Sequence, residues 1–521
     1  MTDRDHTVIV GGGHNGLVCA AYLARAGRSV TVLERAEQAG GMAATREFAP
    51  GYKASCAHLA WLLDADIAQE LQLADNGLRM AATGLATVAL AADGDHLVLE
   101  ADRAEGAGLS ASEQQAFAEW RARMGRFAQV VGALHNETPP RIRQTRGDLM
   151  ALGRLALRVR RLGRRDMRDF LRIAGINIHD VLEEQFRHPL LKGAMSLDAV
   201  LGAFSGPRSN NSVFTLLHRL SGTGGAPGAV AVPMGAMGGI TEALATAAIR
   251  AGADIRIASP VRRIRVDGLR TTGVELEDGA FIPAGTVISN LDVKTTLLEL
   301  LGPRHLEADF VQRIRHLRTD GYAAKLHLAL DGLPDFRGLP PARQGDRLLI
   351  APSAEHVERA FDCSKYGEFS SDPVLEIVLP SVHDPALAPA GGHVLSAIVQ
   401  YAPYALADGW DAARDAFLDT IMNTLERYAP DIRERTVASE LLTPPDIERL
   451  FGARGGHWHH SELALHQFLM LRPAPRWAQY RMPVEGLYLC GAGCHPGGGV
   501  MGSAGRNAAR AVLADRAGEG R

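Results

Sequence analysis

Three glycines near the start of the chain have the spacing that binds the phosphates of a nucleotide. Gly11, Gly13 and Gly16 follow the β-branched apolar run of residues 7–10 and precede residues 17–26, which have helical character. A strand, a glycine turn and a helix in this order present the free N–H groups and the positive dipole end of the helix to a pyrophosphate. The pattern therefore predicts a dinucleotide site.

An acidic residue stands where the same site would meet a ribose. Residues 29–33 form a second apolar strand, and Glu34 follows it at the usual distance of about 20 residues from the glycines. A carboxylate there accepts hydrogen bonds from the ribose 2′-hydroxyl and repels a 2′-phosphate, so NADP is disfavoured. This unit alone is compatible with both FAD and NAD.

The next residues narrow the choice of cofactor. Gly40, Gly41 and Met42 come shortly after Glu34, and residues 8–45 as a whole resemble the N-terminal FAD signature of the flavin amine oxidase and carotenoid desaturase superfamily. The resemblance covers nearly the whole chain and is strongest to the phytoene dehydrogenase-like group. It implies FAD as the cofactor, with contacts from Gly11, Gly13, Asn15, Gly16, Glu34, Arg35, Gly41 and Met42.

Two distant segments carry further parts of this signature. A helix at residues 240–250 is followed by strands that resemble the family's returning FAD segment, in which Val261 lies against the adenine. Residues 486–490 form an apolar strand, and a glycine loop and a helix from about residue 503 follow it. The resemblance implies FAD contacts from Gly491, Gly499, Val500 and Met501. Backbone N–H groups of Val500 and Met501 would stabilise negative charge on the reduced flavin.

The densest group of imidazoles, His457, His459 and His460, stands near Glu462. Imidazole and carboxylate groups transfer protons and bind metals. In the related group this stretch lines the catalytic cavity, so the resemblance implies His460, Glu462 and also His495 as candidate acid/base residues. A hydrogen-bonded loop over the flavin is equally compatible with these residues. We expect no metal ion, because no second Cys or His pair stands at metal-binding spacing.

The elements that position these residues come from both ends of the chain. At 521 residues the chain is too long for a single hydrophobic core. We predict an α/β fold with a discontinuous, Rossmann-type, GR2-like FAD-binding domain and a mixed α+β substrate-binding domain. The FAD-binding domain comprises residues 1–70, 225–299 and 455–521, and the substrate-binding or cap domain comprises residues 71–224 and 300–454.

Composition and charge argue against several classes of protein. A net charge of -3 with basic residues spread along the chain does not indicate a nucleic-acid partner. Five cysteines, an odd number, do not indicate a secreted disulfide framework. The chain enters an apolar strand within its first residues, which leaves no room for a signal peptide. We therefore expect a cytoplasmic protein.

One segment is locally basic. Residues 149–174, a predicted helix, hold eight arginines interleaved with apolar side chains. This pattern is typical of a helix that lies on an anionic membrane, and also of a solvated cap-domain helix with an apolar core face. We favour the solvated helix and keep peripheral membrane contact as the alternative.

Together these observations predict an FAD-dependent oxidoreductase that takes hydride from a C–H bond of a small, hydrophobic substrate and passes it to flavin N5. A second glycine motif and an early C-x-x-C pair are both missing, so O₂, a quinone or another acceptor would receive the electrons. Two alternatives stay open: an interaction protein with a structural flavin, and a redox-neutral isomerase that uses reduced flavin. A homodimer is compatible with the sequence.

Overall fold

The computed structural model describes residues 5–141, 146–222 and 230–519, so small parts of the predicted domains, including residues 225–229, lie outside it. In chain order, the strands are β1 (His6–Val10), β2 (Ser29–Leu33), β3 (Thr45–Ala49), β4 (Tyr52–Ser55), β5 (Met80–Thr83), β6 (Thr87–Ala89), β7 (Leu97–Leu99), β8 (Ala104–Gly106), β9 (Ala231–Pro233), β10 (Asp254–Arg256), β11 (Val261–Asp267), β12 (Arg270–Leu276), β13 (Phe281–Pro283), β14 (Thr286–Ser289), β15 (Ala323–Leu330), β16 (Arg347–Ile350), β17 (Leu375–Val378), β18 (His393–Gln400), β19 (Thr436–Leu442) and β20 (Leu487–Leu489). The helices are α1 (His14–Arg25), α2 (Ala65–Glu70), α3 (Ala111–His135), α4 (Arg146–Arg161), α5 (Arg164–Ile173), α6 (Ile178–Glu183), α7 (Pro189–Val200), α8 (Ser212–Leu220), α9 (Gly238–Arg250), α10 (Ala308–Arg315), α11 (Ala354–Ser364), α12 (Trp410–Glu426), α13 (Ile432–Arg435), α14 (Pro444–Phe451) and α15 (Ser503–Glu519).

A parallel sheet of five strands, in the order β10, β2, β1, β14, β20, holds the predicted nucleotide motif. Every neighbouring pair is parallel, and Val8 of β1 is in register with Thr31 on one side and Val287 on the other. The central strands are continuous apolar runs because both faces of such a sheet are covered. α1 packs against α9 and α15, which come from the other segments of the predicted FAD-binding domain. The predicted Rossmann-type α/β fold is therefore confirmed.

A second, mixed sheet of eight strands has the order β19, β15, β18, β17, β16, β6, β7, β8. All of its pairs are antiparallel except β16 with β6. One face packs on α3, α6, α7, α8 and α11, and the other packs on α12. Strands and helices of both predicted cap segments thus share one α+β layer structure, while the residue boundaries of the two domains stay predictions.

The locally basic segment differs from the prediction. Instead of one helix over residues 149–174, the structure has α4 and α5 with a break between them at Gly163. Gly163 has a φ of +84°, which a helix does not accommodate. Within the described ranges, none of the helices combines the length and the apolar character needed to cross a bilayer.

Candidate functional site

A cavity of about 600 Å³ is lined by residues of both large sheets. It extends from Val10 and Leu33 of the parallel sheet to Glu376 and Ile398 of the eight-stranded sheet. We call its first part the dinucleotide end, formed by the residues around the glycine turn after β1. The cavity therefore joins the predicted cofactor site to the predicted substrate-binding layer.

The dinucleotide end has the local structure that the glycine pattern predicts. Gly11 has a φ of +96°, which permits the sharp turn after β1. α1 begins at His14, with Gly13 as its N-cap residue and no side chain capping its first N–H groups. These N–H groups are therefore available to an anion at the N-terminus of α1.

Close packing requires glycine at one position of this turn and favours it at another. A Cβ atom on Gly16 would lie 2.3 Å from the carbonyl oxygen of Gly11, and one on Gly13 would lie 2.8 Å from Nδ2 of Asn290. Gly16 does not line the cavity. Its role is to let α1 approach β1, which is what its place in the motif predicts.

Glu34 is held firmly where a ribose would bind. It is 8% exposed and lines the cavity. Its Oε2 accepts a hydrogen bond from the backbone N of Gly12 at 2.8 Å, and its Oε1 accepts one from the backbone N of Ala36 at 2.9 Å. A carboxylate can accept about four hydrogen bonds, so both oxygens retain capacity for ribose hydroxyls.

Buried polar atoms without partners test whether the dinucleotide end fits a cofactor. Both amide atoms of Asn15 and Nε2 of His14 have no hydrogen-bond partner among the described residues, and both side chains line the cavity. Buried polar atoms are nearly always hydrogen-bonded in folded proteins. A dinucleotide supplies phosphate, hydroxyl and ring groups that would satisfy them, so the residues present fit FAD.

The loop between β20 and α15 forms another wall. Gly499 and Val500 line the cavity, with φ values of +126° and +56°. A Cβ atom on Gly499 would lie 2.3 Å from Cδ1 of Leu62, so the loop needs glycine there. Met501 is 1% exposed and Gly491 packs against the carbonyl of Asn290, and neither lines the cavity.

The structure brings most of the predicted FAD contacts to this one cavity. Those that line it are Gly11, Gly13, Asn15, Glu34, Arg35, Gly41, Met42, Val261, Gly499 and Val500. Gly16, Gly491 and Met501 do not line it. The individual contacts with FAD stay predictions.

His460 is the one predicted acid/base residue that lines the cavity. Its Nδ1 is buried and has no hydrogen-bond partner in the described part of the chain. Burial, and then the positive charge of Arg472, lower the pKa of His460 to about 4. The imidazole is therefore neutral at pH 7 and able to accept a proton.

His495 and Glu462, the other two candidates, do not line the cavity. Nε2 of His495 lies 2.8 Å from the carbonyl oxygen of Leu134, and burial lowers the pKa of this imidazole to about 4. Burial raises the pKa of Glu462, whose Oε2 lies 3.6 Å from Nη1 of Arg318. Either residue could act on a ligand only through an intervening group, and their catalytic roles stay predictions.

Arg472, which the sequence did not single out, joins two loops: the histidine loop, which holds His457, His459 and His460, and the glycine loop between β20 and α15. It is fully buried, at 0% exposure. At 2.6 to 3.3 Å its guanidinium donates to the carbonyl oxygens of His459, Ser461, Glu462, Gln467, Ala492 and Cys494. In the described part of the chain no carboxylate pairs with it. Its charge is held by backbone dipoles, and it lowers the pKa values of the surrounding histidines.

The opposite part of the cavity, which we call the polar end, was also missed by the sequence analysis. It is lined by His58, Trp61, Asp198, Arg219 and Glu376. Oε2 of Glu376 accepts from Nη2 of Arg219 at 2.5 Å, and Nε of Arg219 lies 3.3 Å from Oδ1 of Asp198. The guanidinium of Arg219 lies 4.2 Å from the centre of the Trp61 ring.

Arg347 supports the polar end from the strand β16. It is fully buried, and its Nε donates to Oε2 of Glu376 at 3.0 Å. It also pairs with Asp198, and its guanidinium lies 4.9 Å from the centre of the Trp61 ring. Two arginines and two carboxylates thus form one buried network against a single indole ring.

Lys325, in the middle of β15, extends this network through His58. Its Nζ contacts Nδ1 of His58, whose Nε2 lies 3.8 Å from Oε1 of Glu376. Burial lowers the pKa of Lys325 to about 7 and takes that of His58 well below its ordinary value. The sequence does hold a signal: Lys325 and Glu376 each interrupt a strand that is otherwise almost entirely apolar, and a buried charge requires partners.

The expectation that no metal ion is bound stays a prediction. Among the described residues, His179, Glu183 and Glu355 have ligand atoms within 4.8 Å of one another near the surface. Nζ of Lys192 pairs with Oε1 of Glu183 at 2.5 Å. The ammonium group therefore competes with a cation for this carboxylate.

Known proteins resemble the chain over about two thirds of its length or more. It is 35% identical to pyridine nucleotide-disulfide oxidoreductase domain-containing protein 2 of Mus musculus, over 98% of this chain and 93% of that protein. It is 28% identical to a lycopene-forming phytoene desaturase of a Paracoccus species, over 66% of each chain. A solved structure of putrescine oxidase bound to putrescine has the same fold, with a TM-score of 0.59 and 16% identity over 99% of this chain and 100% of that one.

The family comparison agrees with the fold and with the cavity. Residues 16–513 match the family of flavin containing amine oxidoreductases. This range begins within α1 and includes the histidine loop and the glycine loop before α15. The chain therefore belongs to the flavin containing amine oxidoreductase family and is an FAD-dependent oxidoreductase.

Proposed function

We propose that this protein oxidises a C–H bond of a small molecule with an apolar body, bound in the cavity between His460 and the polar end. The observation that carries the proposal is the continuity of the cavity from the dinucleotide end to the polar end. A substrate bound there would lie beside the cofactor and away from bulk water.

An apolar section of the cavity wall supports the proposed substrate class. Its side chains are Leu59, Leu62, Leu201, Ile398 and Leu463. Ligand sites of this kind combine a mostly apolar lining with a few polar groups that fix orientation. Most of the substrate would therefore be held by apolar contact.

The residues of the dinucleotide end would hold FAD in the following way. The free N–H groups at the start of α1 would bind the pyrophosphate, Glu34 the ribose, and the wall at Val261 the adenine. The loop at Val500 would face the flavin. When bound, FAD supplies a two-electron acceptor for hydride at the reacting carbon.

His460 would receive the proton that leaves the substrate when hydride is removed. Its neutral imidazole and its unpartnered Nδ1 in the cavity wall support this role. A positioned base of this kind contributes about a hundredfold or more to a rate. Arg472, which fixes the histidine loop through the carbonyl of His459, would keep the imidazole in place.

The visible spectrum of the purified holoprotein tests the proposal. We would record it anaerobically, before and after adding amphipathic and amine compounds, and then after adding air or a soluble quinone. Bleaching by a substrate supports the oxidoreductase reaction, and recovery identifies the acceptor. A stable flavin spectrum with conversion of the substrate would favour the isomerase, and no response to any compound would favour a structural flavin.

A His460→Gln variant tests the proposed base, with His466→Gln as the matched control. His466 is exposed and lies outside the cavity lining. We expect anaerobic flavin reduction to slow about a hundredfold in His460→Gln and to stay at the wild-type rate in His466→Gln. Equal rates of flavin reduction in the wild type and both variants would show that His460 is not the base. The oxidoreductase proposal would be unaffected by this result.

We also propose that α4 and α5 place the protein on an anionic membrane surface. Five large apolar side chains there are 40% to 67% exposed: Leu149, Met150, Leu152, Leu157 and Leu171. Five exposed arginines on these helices have no carboxylate partner among the described residues: Arg160, Arg161, Arg164, Arg165 and Arg168. Apolar side chains beside unpaired cations are what a helix lying on anionic lipid requires.

Co-sedimentation with vesicles tests the membrane proposal. We expect binding to vesicles that contain phosphatidylglycerol but not to pure phosphatidylcholine, with affinity falling as salt rises. The double variant Arg161→Gln/Arg165→Gln should bind at least about tenfold more weakly, at about 1 kcal/mol per charge. The control Leu269→Asn removes an apolar side chain that is 73% exposed elsewhere and should bind normally. Equal sedimentation of all three proteins would contradict the proposal.

A further inference from the structure

We infer that the polar end binds a carboxylate of the substrate, so that the substrate is an organic acid with an apolar chain rather than an amine. This inference rests on the proposed function, because it names the substrate class for the same cavity. It comes from the hydrogen-bonding atoms that the buried network leaves unused.

The unused atoms of the polar end are donors. Nε1 of Trp61 and Nε of Arg219 are buried and have no hydrogen-bond partner among the described residues. Both can only donate. Nε2 of His58 is also buried without a partner, and it carries the hydrogen when Nζ of Lys325 donates to Nδ1 of the same ring. Two N–H groups therefore have no acceptor within hydrogen-bond distance, and the third, Nε–H of Arg219, has only the ion-pair contact with Oδ1 of Asp198 at 3.3 Å.

Three of the four carboxylate oxygens of the polar end are already engaged. Both oxygens of Asp198 contact Arg347, and its Oδ1 also lies 3.3 Å from Nε of Arg219. Oε2 of Glu376 receives N–H groups from both arginines. The fourth, Oε1 of Glu376, lies 3.8 Å from Nε2 of His58. The donors without a hydrogen-bond partner outnumber this one acceptor, which favours a ligand that brings an oxygen with free lone pairs.

Charge leads to the same conclusion. The network holds three basic groups, Arg219, Arg347 and Lys325, and two carboxylates. An incoming carboxylate would balance the third basic group in its protonated form and accept charge-assisted hydrogen bonds. A protonated amine would add a further positive charge to the cluster.

The aromatic face that could attract an amine is also occupied. Trp61 is the indole at this end, and two guanidinium groups lie 4.2 and 4.9 Å from its ring centre. Cation–π attraction acts at such distances. The ring is thus used by the protein's own cations, while its N–H remains available to an acceptor.

Titration of the holoprotein with three ligands of equal chain length tests the inference. The probes are octanoate, octylamine and octan-1-ol, and binding is followed by the change in the visible flavin spectrum and by thermal stabilisation of the protein. We expect octanoate to bind at least about tenfold more tightly than either of the others. Tighter binding of octylamine would overturn the inference.

Two variants and a control locate the binding group. Arg219→Gln should raise the Kd of octanoate about tenfold or more, because it removes a charged donor. Arg481→Gln is the control, since Arg481 pairs with Asp515 at 2.6 Å and does not line the cavity. Trp61→Phe keeps a ring beneath the guanidinium groups but removes the N–H, and should raise the Kd about threefold to tenfold. If Arg219→Gln fails to fold, the Kd of octanoate for Trp61→Phe alone tests the carboxylate site.

The outcomes separate this inference from the proposed function. A holoprotein that is reduced by amines and binds octanoate equally in the wild type and in folded Arg219→Gln would overturn the carboxylate site alone. A protein that binds octanoate as expected but is never reduced by any compound would overturn the proposed oxidation and support the site.

Discussion

Replacing Arg472 by Met should loosen the wall that carries His460 and weaken retention of FAD. The guanidinium is fully buried and joins two loops through six carbonyl oxygens. One of these, the carbonyl of Glu462, keeps a second donor in the side chain of Gln467. Within the described part of the chain, the other five carbonyl oxygens receive hydrogen bonds from Arg472 alone.

The size of the effect follows from these bonds. Loss of five N–H hydrogen bonds at about 1 kcal/mol each lowers the free energy of unfolding by about 5 kcal/mol. The variant no longer buries a charge, which offsets about 2 kcal/mol of this loss. A net loss of about 3 kcal/mol, divided by an unfolding entropy of about 2.1 cal/mol/K for each of 521 residues, lowers Tm by about 3 °C. Flavin loss would add to this, because a bound ligand stabilises the folded state.

The assay is thermal unfolding of Arg472→Met with and without added FAD, together with flavin content per chain after gel filtration. Arg481→Met is the matched control, because its guanidinium is half-buried, is paired with the carboxylate of Asp515 and lies outside the cavity. Wild-type Tm and full flavin content in Arg472→Met would refute the argument that this arginine holds the two loops together.

Three further predictions concern the cofactor and pH. Gly16→Ala places a Cβ atom 2.3 Å from the carbonyl oxygen of Gly11 and should reduce the flavin content several-fold. The control Gly153→Ala, at a helical position with open space around it, should keep the wild-type flavin content. Flavin absorbance per chain measures the content of both variants. Glu34→Gln should raise the Kd of FAD about tenfold in fluorescence titrations, since a charged acceptor becomes neutral; an unchanged Kd would remove Glu34 from the ribose site. Burial lowers the pKa values of His14 and His460 from 6.5 to about 4. Between pH 6.5 and pH 4 the unfolded chain therefore binds more protons than the folded chain. The free energy of unfolding should fall as the pH drops through this range. Urea unfolding at several pH values should show this slope reduced in His460→Phe, and an identical slope would contradict the assignment.

The local structure of the dinucleotide end could be predicted because it depends on backbone geometry and on short turns. The type and spacing of Gly11, Gly13 and Gly16 determine a strand, a turn and a helix start within a few residues of one another. The sterics at Gly16 agree with close packing of α1 on β1, and backbone hydrogen bonds fix the carboxylate of Glu34 in the cavity wall, while its contact with a ribose stays a prediction. Such short-range geometry can be inferred from sequence because little of it depends on the rest of the fold.

The polar end could not be predicted because its members meet only through the tertiary structure. Trp61 precedes α2, and Arg219 is in the last turn of α8. Arg347, Glu376 and Lys325 lie on three strands of the eight-stranded sheet. No spacing rule connects these positions. The predicted acid/base set shows the same limit, since His460 lines the cavity while Glu462, two residues away, does not.

The strand order of the parallel sheet determines when the flavin site becomes complete during synthesis of the chain. β14 pairs with β20, and α1 packs on α15, although residues 287 and 487 are far apart in synthesis. At about 5 to 20 residues per second, a ribosome needs about 10 to 40 s to travel from β14 to β20. During that interval one edge of the sheet is open, and the loop at Gly499 and Val500 does not yet exist. Stable capture of the flavin is therefore expected after translation of this loop, and nascent chains stalled before residue 487 should be colourless.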